Sequence, residues 1–346
     1  MRYTAFGSTG FKVSSLGFGA MRLPDVSFEE AKQTLNYALD HGINYIDTAR
    51  AYRNSEEIIG KAISSRRKEY FLATKTNKRQ YAAAKQEIEE SLNKLQTDHI
   101  DLLQLHYVNH PREFDELMAE DGAYRAALEA KNQGKIRFIG ITGHRPDLLT
   151  QWIQQASFDQ VLFHLNLGQP FALDDLIPVM TAKGMAKVAM KPLSGGLIQP
   201  VEKAIRYPYS QDVHVTISGM KSVEEVRQNI AAQEAEVGEE ERAYLEQLAR
   251  ELGEHNCRRC NYCSCPLGIP IPDIMISSIA RDRLGLPAYG DQFFSKHGAK
   301  IRACADYKPC RDQPLCEPKC PYDLPMQQVI QQSAQYAEAD NDALEA

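Results

Sequence analysis

At 346 residues the chain is longer than one average domain and long enough to bury a substantial core. A formal net charge of −6 lacks the basic excess of a nucleic-acid binder, so no nucleic-acid partner is expected. No apolar run reaches membrane-spanning length and Met1-Arg2-Tyr3-Thr4 opens no signal peptide, which predicts no membrane partner and a cytoplasmic location.

Residues 2–14 read as two short extended pieces around Gly7-Ser8-Thr9-Gly10, a hairpin. Leu16-Gly17-Phe18-Gly19 reads as a strand, with Gly19 small enough for a ligand to approach its end. Ser27 and Glu30 form a capping box, apolar residues follow at helical spacing, and Gly42 ends that helix. Strands at 44–47, 70–74, 100–105, 135–141, 161–165, 186–190 and 213–218 then alternate with helical stretches. Eight strand–helix units with nearly continuous apolar strands predict an α/β fold, a closed parallel (β/α)8 TIM barrel. An acidic helix over 238–252 connects it to a segment rich in cysteine, proline and basic residues. Helices are expected there near 273–284 and 326–335, and the acidic stretch 337–346 is expected to fray.

Three successive strands run into ionisable residues. Asp47 closes one and is followed by Tyr52 in Asp-Thr-Ala-Arg-Ala-Tyr; Lys75 follows Ala73-Thr74; His106 follows Leu-Leu-Gln-Leu. Catalytic groups of a parallel barrel stand at the C-terminal ends of its strands. A phenol has an ordinary pKa of about 10, and a nearby ammonium lowers it. Tyr52 is therefore read as a general acid, Lys75 as the cation that tunes it, and Asp47 as the anchor of Lys75. His106 orients the reacting oxygen or relays the proton. Such a group suits protonation of a carbonyl oxygen while hydride, supplied by a cofactor, reaches its carbon.

These residues, with Ser91-Leu92-Asn93-Lys94-Leu95 and Gly134-Lys135-Ile136-Arg137, resemble the aldo/keto reductase family across roughly residues 1–250. The resemblance implies that Asp47, Tyr52, Lys75 and His106 are the catalytic tetrad. It also implies that the barrel binds NADPH, with NADH the alternative, and that the substrate is a small-molecule carbonyl compound.

The loop Lys191-Pro192-Leu193-Ser194-Gly195-Gly196 carries backbone N–H groups able to cradle a pyrophosphate, and Gly219 precedes a helix whose N-terminus attracts anions. The resemblance assigns Lys221 and Ser222 to the ribose 2′-phosphate. Glu225 stands near where many NADPH-using members carry arginine, with Arg227 two residues on and Asn229 four. Thr142 and Asn166 stand where the family seats the nicotinamide carboxamide. His144 is read either as a pocket residue or as a hydrogen-bonded loop histidine, and His110 and His164 as structural.

All eight cysteines follow residue 256: Cys257, Cys260, Cys263 and Cys265-Pro266, then Cys304, Cys310, Cys316 and Cys320-Pro321. In a reducing compartment disulfides are disfavoured and metal ligation is expected. The first group approximates the bacterial ferredoxin run, whose fourth cysteine serves the other cluster. Two sites of four thiolates would equally suit zinc. The pattern resembles the aldo/keto reductase branch with a C-terminal 4Fe-4S ferredoxin-type domain, here 251–336. By that resemblance Cys257, Cys260, Cys263 and Cys320 hold one cluster and Cys265, Cys304, Cys310 and Cys316 another. One or two [4Fe-4S] clusters are expected, and with them an electron-transfer partner protein. The competing reading is a non-catalytic redox-sensing or electron-relay protein that keeps the barrel to bind nicotinamide.

Overall fold

The computed structural model describes residues 1–193, 201–234, 237–253, 256–258, 260, 262–282, 287–311 and 314–344, with the backbone alone at 201–203, 251–253, 289, 311 and 337–344. A hairpin of β1 (Tyr3–Ala5) and β2 (Lys12–Ser14) precedes eight parallel strands: β3 (Leu16–Gly19), β4 (Tyr45–Asp47), β5 (Phe71–Thr76), β6 (Ile100–Leu105), β7 (Ile136–Gly143), β8 (Gln160–His164), β9 (Ala186–Met190) and β10 (Val215–Gly219). They close into a barrel in chain order, with β10 pairing to β3. The helices that return the chain are α1 (Phe28–Asp40), α2 (Ser55–Ile63), α3 (Tyr81–Leu95), α4 (Pro111–Met118), α5 (Ala123–Asn132), α6 (Pro146–Gln155), α7 (Leu176–Ala182), α8 (Val201–Tyr209) and α9 (Val223–Glu234).

The capping box at Ser27 forms: Glu30 N–H donates to Ser27 Oγ, and Ser27 N–H donates to the Glu30 carboxylate. The single helical stretch expected between β6 and β7 is two helices, because Gly122 lets the chain turn where a Cβ would lie 2.2 Å from Leu117 O.

Two apolar layers organise the barrel. The outer one lies between strands and helices and contains Leu35, Ile59, Leu92 and Trp152. The inner one fills the lumen near the strands' N-terminal ends, where Phe6 packs on Tyr45 and Phe71 at ring-centroid distances of 5.5 and 5.1 Å. The hairpin thus plugs that end of the barrel and leaves polar side chains to the other.

Beyond α10 (Glu239–Gly253) come α11 (Ile271–Asp282), α12 (Pro287–Ala305), α13 (Lys308–Arg311) and α14 (Met326–Leu344). A separate core joins Ile274, Met275, Phe294, Ile301 and Ile330 to Cys257, Cys304, Cys316 and Cys320. The 19-residue α12 is not evident in the sequence, where glycines interrupt its apolar pattern. One of them, Gly290, lets α12 lie close on α11: a Cβ there would sit 2.9 Å from Ser277 O. Residues 337–344, expected to fray, continue the α14 backbone.

Candidate active site

Side chains alternate along a strand, so residues two apart share a face. Asp47 pairs with Ala73 in the β4–β5 register and Lys75 with Gln104 in the β5–β6 register. Lys75 is two residues beyond Ala73, and His106 two beyond Gln104. These side chains therefore meet at the C-terminal mouth of the lumen. The buried Lys75 ammonium donates to Asp47 Oδ1 and, at 2.7 Å, to Thr48 O. Gln104 Nε2 donates to the other Asp47 oxygen at 2.9 Å. Gln104 was not singled out from the sequence; its place one register step from Lys75 was the available signal.

Tyr52 comes from the turn after β4, which three contacts fix. Thr48 N–H donates to Ala73 O, Arg50 N–H donates to Lys75 O, and Arg50 Nη1 pairs with the buried Glu56 at 2.7 Å. The Lys75 ammonium then lies 5.0 Å from the centre of the Tyr52 ring, and the His106 ring stands edge-on to it at 5.9 Å. Arg79 holds the end of β6 by donating to the carbonyls of His106 and Tyr107, each at 2.9 Å.

Electrostatics refine the expected roles. Burial raises the Tyr52 pKa; Lys75 opposes that rise and Asp47 adds to it, so the net shift is upward and not the expected lowering. The reason is burial, which outweighs the lowering by Lys75, with Asp47 adding a smaller rise. Lys75 itself is held in the charged form, burial being outweighed by Asp47 and Tyr52. The His106 pKa falls to about 3, through burial and then the charges of Lys75 and Arg79. A neutral imidazole at physiological pH orients an oxygen as a hydrogen-bond donor; it does not relay a proton as an imidazolium.

A groove of about 1220 Å³ opens above these residues, lined by Gly19, Arg22, Asp47, Tyr52, Pro192 and Gly219 among others. Lys191 and Leu193 also line it. A Cβ on Gly19 would come within 2.9 Å of Ile217 Cγ2, so β3 packs tightly on β10 beneath the groove. Gly195 and Gly196 lie outside the described residues. Asn166 is buried: its amide donates to Lys191 O at 2.9 Å and its oxygen accepts Gly168 N–H at 3.0 Å, which ties the β8 and β9 loops together. Thr142 Oγ1 accepts Tyr107 N–H at 2.8 Å, supporting the loop after β6.

At the groove's other end Ser222 Oγ caps α9 through Glu225 N–H, and Lys221 N–H donates to the Glu225 carboxylate at 2.7 Å. That carboxylate also pairs with Arg22 at 3.2 Å. Arg227 pairs with Glu224 in solvent. Asn229 is buried, with its amide donating to Glu225 O at 2.8 Å and its oxygen lacking a partner among the described residues.

The cysteine-rich segment docks beside the barrel mouth. Tyr262 hydroxyl donates to Asn109 O at 2.5 Å, Gln169 Nε2 to Cys257 O at 3.2 Å, and Asn256 Nδ2 to Gly168 O at 2.8 Å. His110 caps α4 and lies 5.4 Å from the Tyr262 ring, while the His144 and His164 rings lie 3.9 Å apart, tilted by 30°. The eight cysteines are unbridged and line two cavities. Cys257, Cys260, Cys263 and Cys320 line one; Cys265, Cys304, Cys310 and Cys316 line the other. Among the described residues, no three His, Cys, Asp or Glu side chains form a group able to hold a single metal ion. No helix among them is long and apolar enough to cross a membrane.

A profile of the Aldo/keto reductase family matches residues 15–203. L-galactose dehydrogenase of Arabidopsis thaliana is 33% identical over 213 residues, 56% of this chain and 66% of that protein, just under two thirds of its length. The uncharacterized oxidoreductase YqkF of Bacillus subtilis is 30% identical over 220 residues, 59% of this chain and 69% of its own. The solved holo form of aldo-keto reductase AKR11C1 from Bacillus halodurans superposes with a TM-score of 0.63 at 27% identity, covering 72% of this chain and 96% of that one. The chain belongs to the aldo/keto reductase family and is an oxidoreductase of that family.

Proposed function

We propose that residues 1–250 form an NADPH-dependent carbonyl reductase acting on a small aldehyde or ketone, with Tyr52 as general acid. The observation that carries this reading is the buried Asp47–Lys75 pair beneath Tyr52 and a neutral His106, at one end of the groove. Gly19, Pro192, Leu193 and Gly219 would hold the cofactor along that groove, and the partnerless Asn229 oxygen is a buried acceptor suited to an adenine amino group. A bound nicotinamide supplies hydride to the carbonyl carbon. His106 donates to the carbonyl oxygen and orients it. Tyr52 then gives its proton to that oxygen as negative charge develops there, and charged Lys75 stabilises the phenolate left behind. The raised Tyr52 pKa suits a donor that must stay protonated until the oxygen turns basic.

Residues 251–336 are read as a cluster-binding unit. Its cysteines divide between the two cavities as ferredoxin-type crossing requires, with Cys265 and Cys320 exchanged between sequence groups. Four thiolates would also hold a tetrahedral zinc, and iron and zinc analysis of the purified chain separates that from a four-iron core. An electron-transfer protein is the matching partner, and the cytoplasm the matching compartment.

The test is Tyr52→Phe in the full chain, assayed for NADPH-dependent reduction of a panel of aldehydes and ketones. The expected loss in kcat is about 10²–10⁴-fold with cofactor binding retained. Equal rates in the variant would refute the assignment of Tyr52.

A further inference from the structure

One level of the barrel lumen is polar. Lys75 pairs with Gln104 in the β5–β6 register, Gln104 with Gly140 in the β6–β7 register, and Gly140 with Gln160 in the β7–β8 register. Nearer the hairpin the lumen is filled by apolar side chains such as Phe71, Leu102 and Val215, the ordinary content of such a barrel. Gly140 gives the two glutamines room: a Cβ there would stand 2.1 Å from Gln160 Oε1 and 3.3 Å from Gln104 Cγ. Both glutamines are fully buried. Burying an amide is costly unless it is hydrogen-bonded, so its place here needs a reason.

The bond that Gln104 makes supplies one. Its Nε2 donates to Asp47 Oδ2 at 2.9 Å, while the Lys75 ammonium donates to Asp47 Oδ1. An ionised carboxylate only accepts, so the amide must present its NH2 to it. Each oxygen of Asp47 thus has a donor from a different strand, and the plane of the carboxylate is fixed. Lys75 also donates to Thr48 O at 2.7 Å and hydrogen-bonds the Tyr52 side chain. A neutral amide holds Asp47 without disturbing this pair. A cation in its place would compete with Lys75, and an anion would compete with Asp47. An apolar residue would leave Oδ2 free to turn onto Lys75 and draw the ammonium away from the phenol.

We propose that Gln104 is a positioning residue for carbonyl reduction: it holds Asp47 to Lys75 through a single oxygen and so leaves Lys75 directed at Tyr52. The inference rests on the reductase reading above. Gln104 lies buried beneath the groove and acts through Asp47 and Lys75. Its effect falls on the step in which Tyr52 gives up its proton and Lys75 stabilises the phenolate, and so on kcat rather than on binding.

The test is steady-state NADPH-dependent reduction of the aldehyde and ketone panel by the full-length chain and its Gln104→Leu and Gln104→Glu variants, between about pH 5 and pH 9. NADPH affinity is read separately by fluorescence. Gln104→Leu should lower kcat about tenfold or more, the worth of one hydrogen bond to a charged group, and leave the carbonyl KM and the NADPH Kd close to native. Gln104→Glu is nearly isosteric and carries the test if Gln104→Leu fails to fold. Its introduced carboxyl is buried against Asp47, and two such groups share one proton. Protonated, it donates to Asp47 Oδ2 as the amide does, and kcat should be near native. Ionised, it competes for Lys75, and kcat should fall. The variant should therefore lose activity as pH rises, along a limb that the native chain lacks.

The titratable groups facing Asp47 are Lys75, Tyr45 and Tyr52, with His106 facing Lys75. Both phenols titrate above their ordinary value of about 10 and His106 near 3, outside the measured range. Native kcat in Gln104→Leu, or a native pH profile in Gln104→Glu, would overturn the inference and leave Tyr52 as the acid. A native chain that reduces no carbonyl with NADPH would overturn the reductase reading, and the role of Gln104 with it.

Discussion

The Lys75 ammonium on β5 is locked by the Asp47 carboxylate on β4, with both side chains buried and Gln104 closing the second carboxylate oxygen. Neither charge has water to fall back on. Removing one partner strands the other, so Asp47→Ala should destabilise the fold by about 3–5 kcal/mol. Adding Lys75→Met to that variant removes the stranded cation and should recover much of the loss, while activity stays lost. Urea unfolding of the two single variants and the double variant measures this coupling directly. Additive losses would mean that the pair is not a unit.

His106 makes stability depend on acidity. Its folded pKa of about 3 lies below the ordinary histidine value of about 6.5, so between those values the unfolded chain binds the extra proton. Stability therefore falls as pH drops through that window, by up to about 1.4 kcal/mol per pH unit, and the contribution is flat above it. Unfolding midpoints for the native chain and His106→Gln, taken from pH 7 to pH 4, should converge toward acid. A native slope that the variant fully retains would assign the acid sensitivity to other groups.

The barrel was legible because its signals are local. Strand apolarity, the Ser27 capping box and ionisable residues at successive strand ends each sit within a few residues. Asp47, Lys75 and His106 come together because strand register carries those ends to one face. The places of Arg145 and Arg258 were not legible, because Phe171, Tyr262 and Tyr322 meet them only after the cysteine segment folds back onto the barrel. The net shift of Tyr52 was equally hidden, since proximity to Lys75 is readable from motif order but burial is not.

Glu225 bears on cofactor choice. Its carboxylate accepts Lys221 N–H and pairs with Arg22, so it occupies the start of α9 where an anionic phosphate would be drawn. Glu225→Gln removes the competing charge and releases the Arg22 guanidinium. The KM for NADPH should fall about 5–10-fold, on the order of 1–1.4 kcal/mol, with little change for NADH, whose ribose lacks the 2′-phosphate. Steady-state kinetics with both cofactors decide it; an equal change for both would remove Glu225 from the phosphate site.

The crossing of Cys265 and Cys320 between the cavities gives a sharper test of the cysteine segment than any spectrum of the native chain. Cys263 and Cys265 are separated by a single residue, yet they face different cavities, whereas Cys320 joins Cys257 across 62 intervening residues. On the proposed cluster reading, ligands of one cluster fail together, because losing any one thiolate opens the same core. Cys257→Ala and Cys320→Ala should each remove the same half of the bound iron, and the double variant should remove no more than either alone. Cys265→Ala should instead act with Cys316→Ala, and Cys265→Ala combined with Cys320→Ala should leave almost none. Iron and sulfide analysis with visible absorbance reads all six variants. If Cys265→Ala and Cys257→Ala fell in the same group, the sequence-adjacent cysteines would share one site and the crossed arrangement would be wrong.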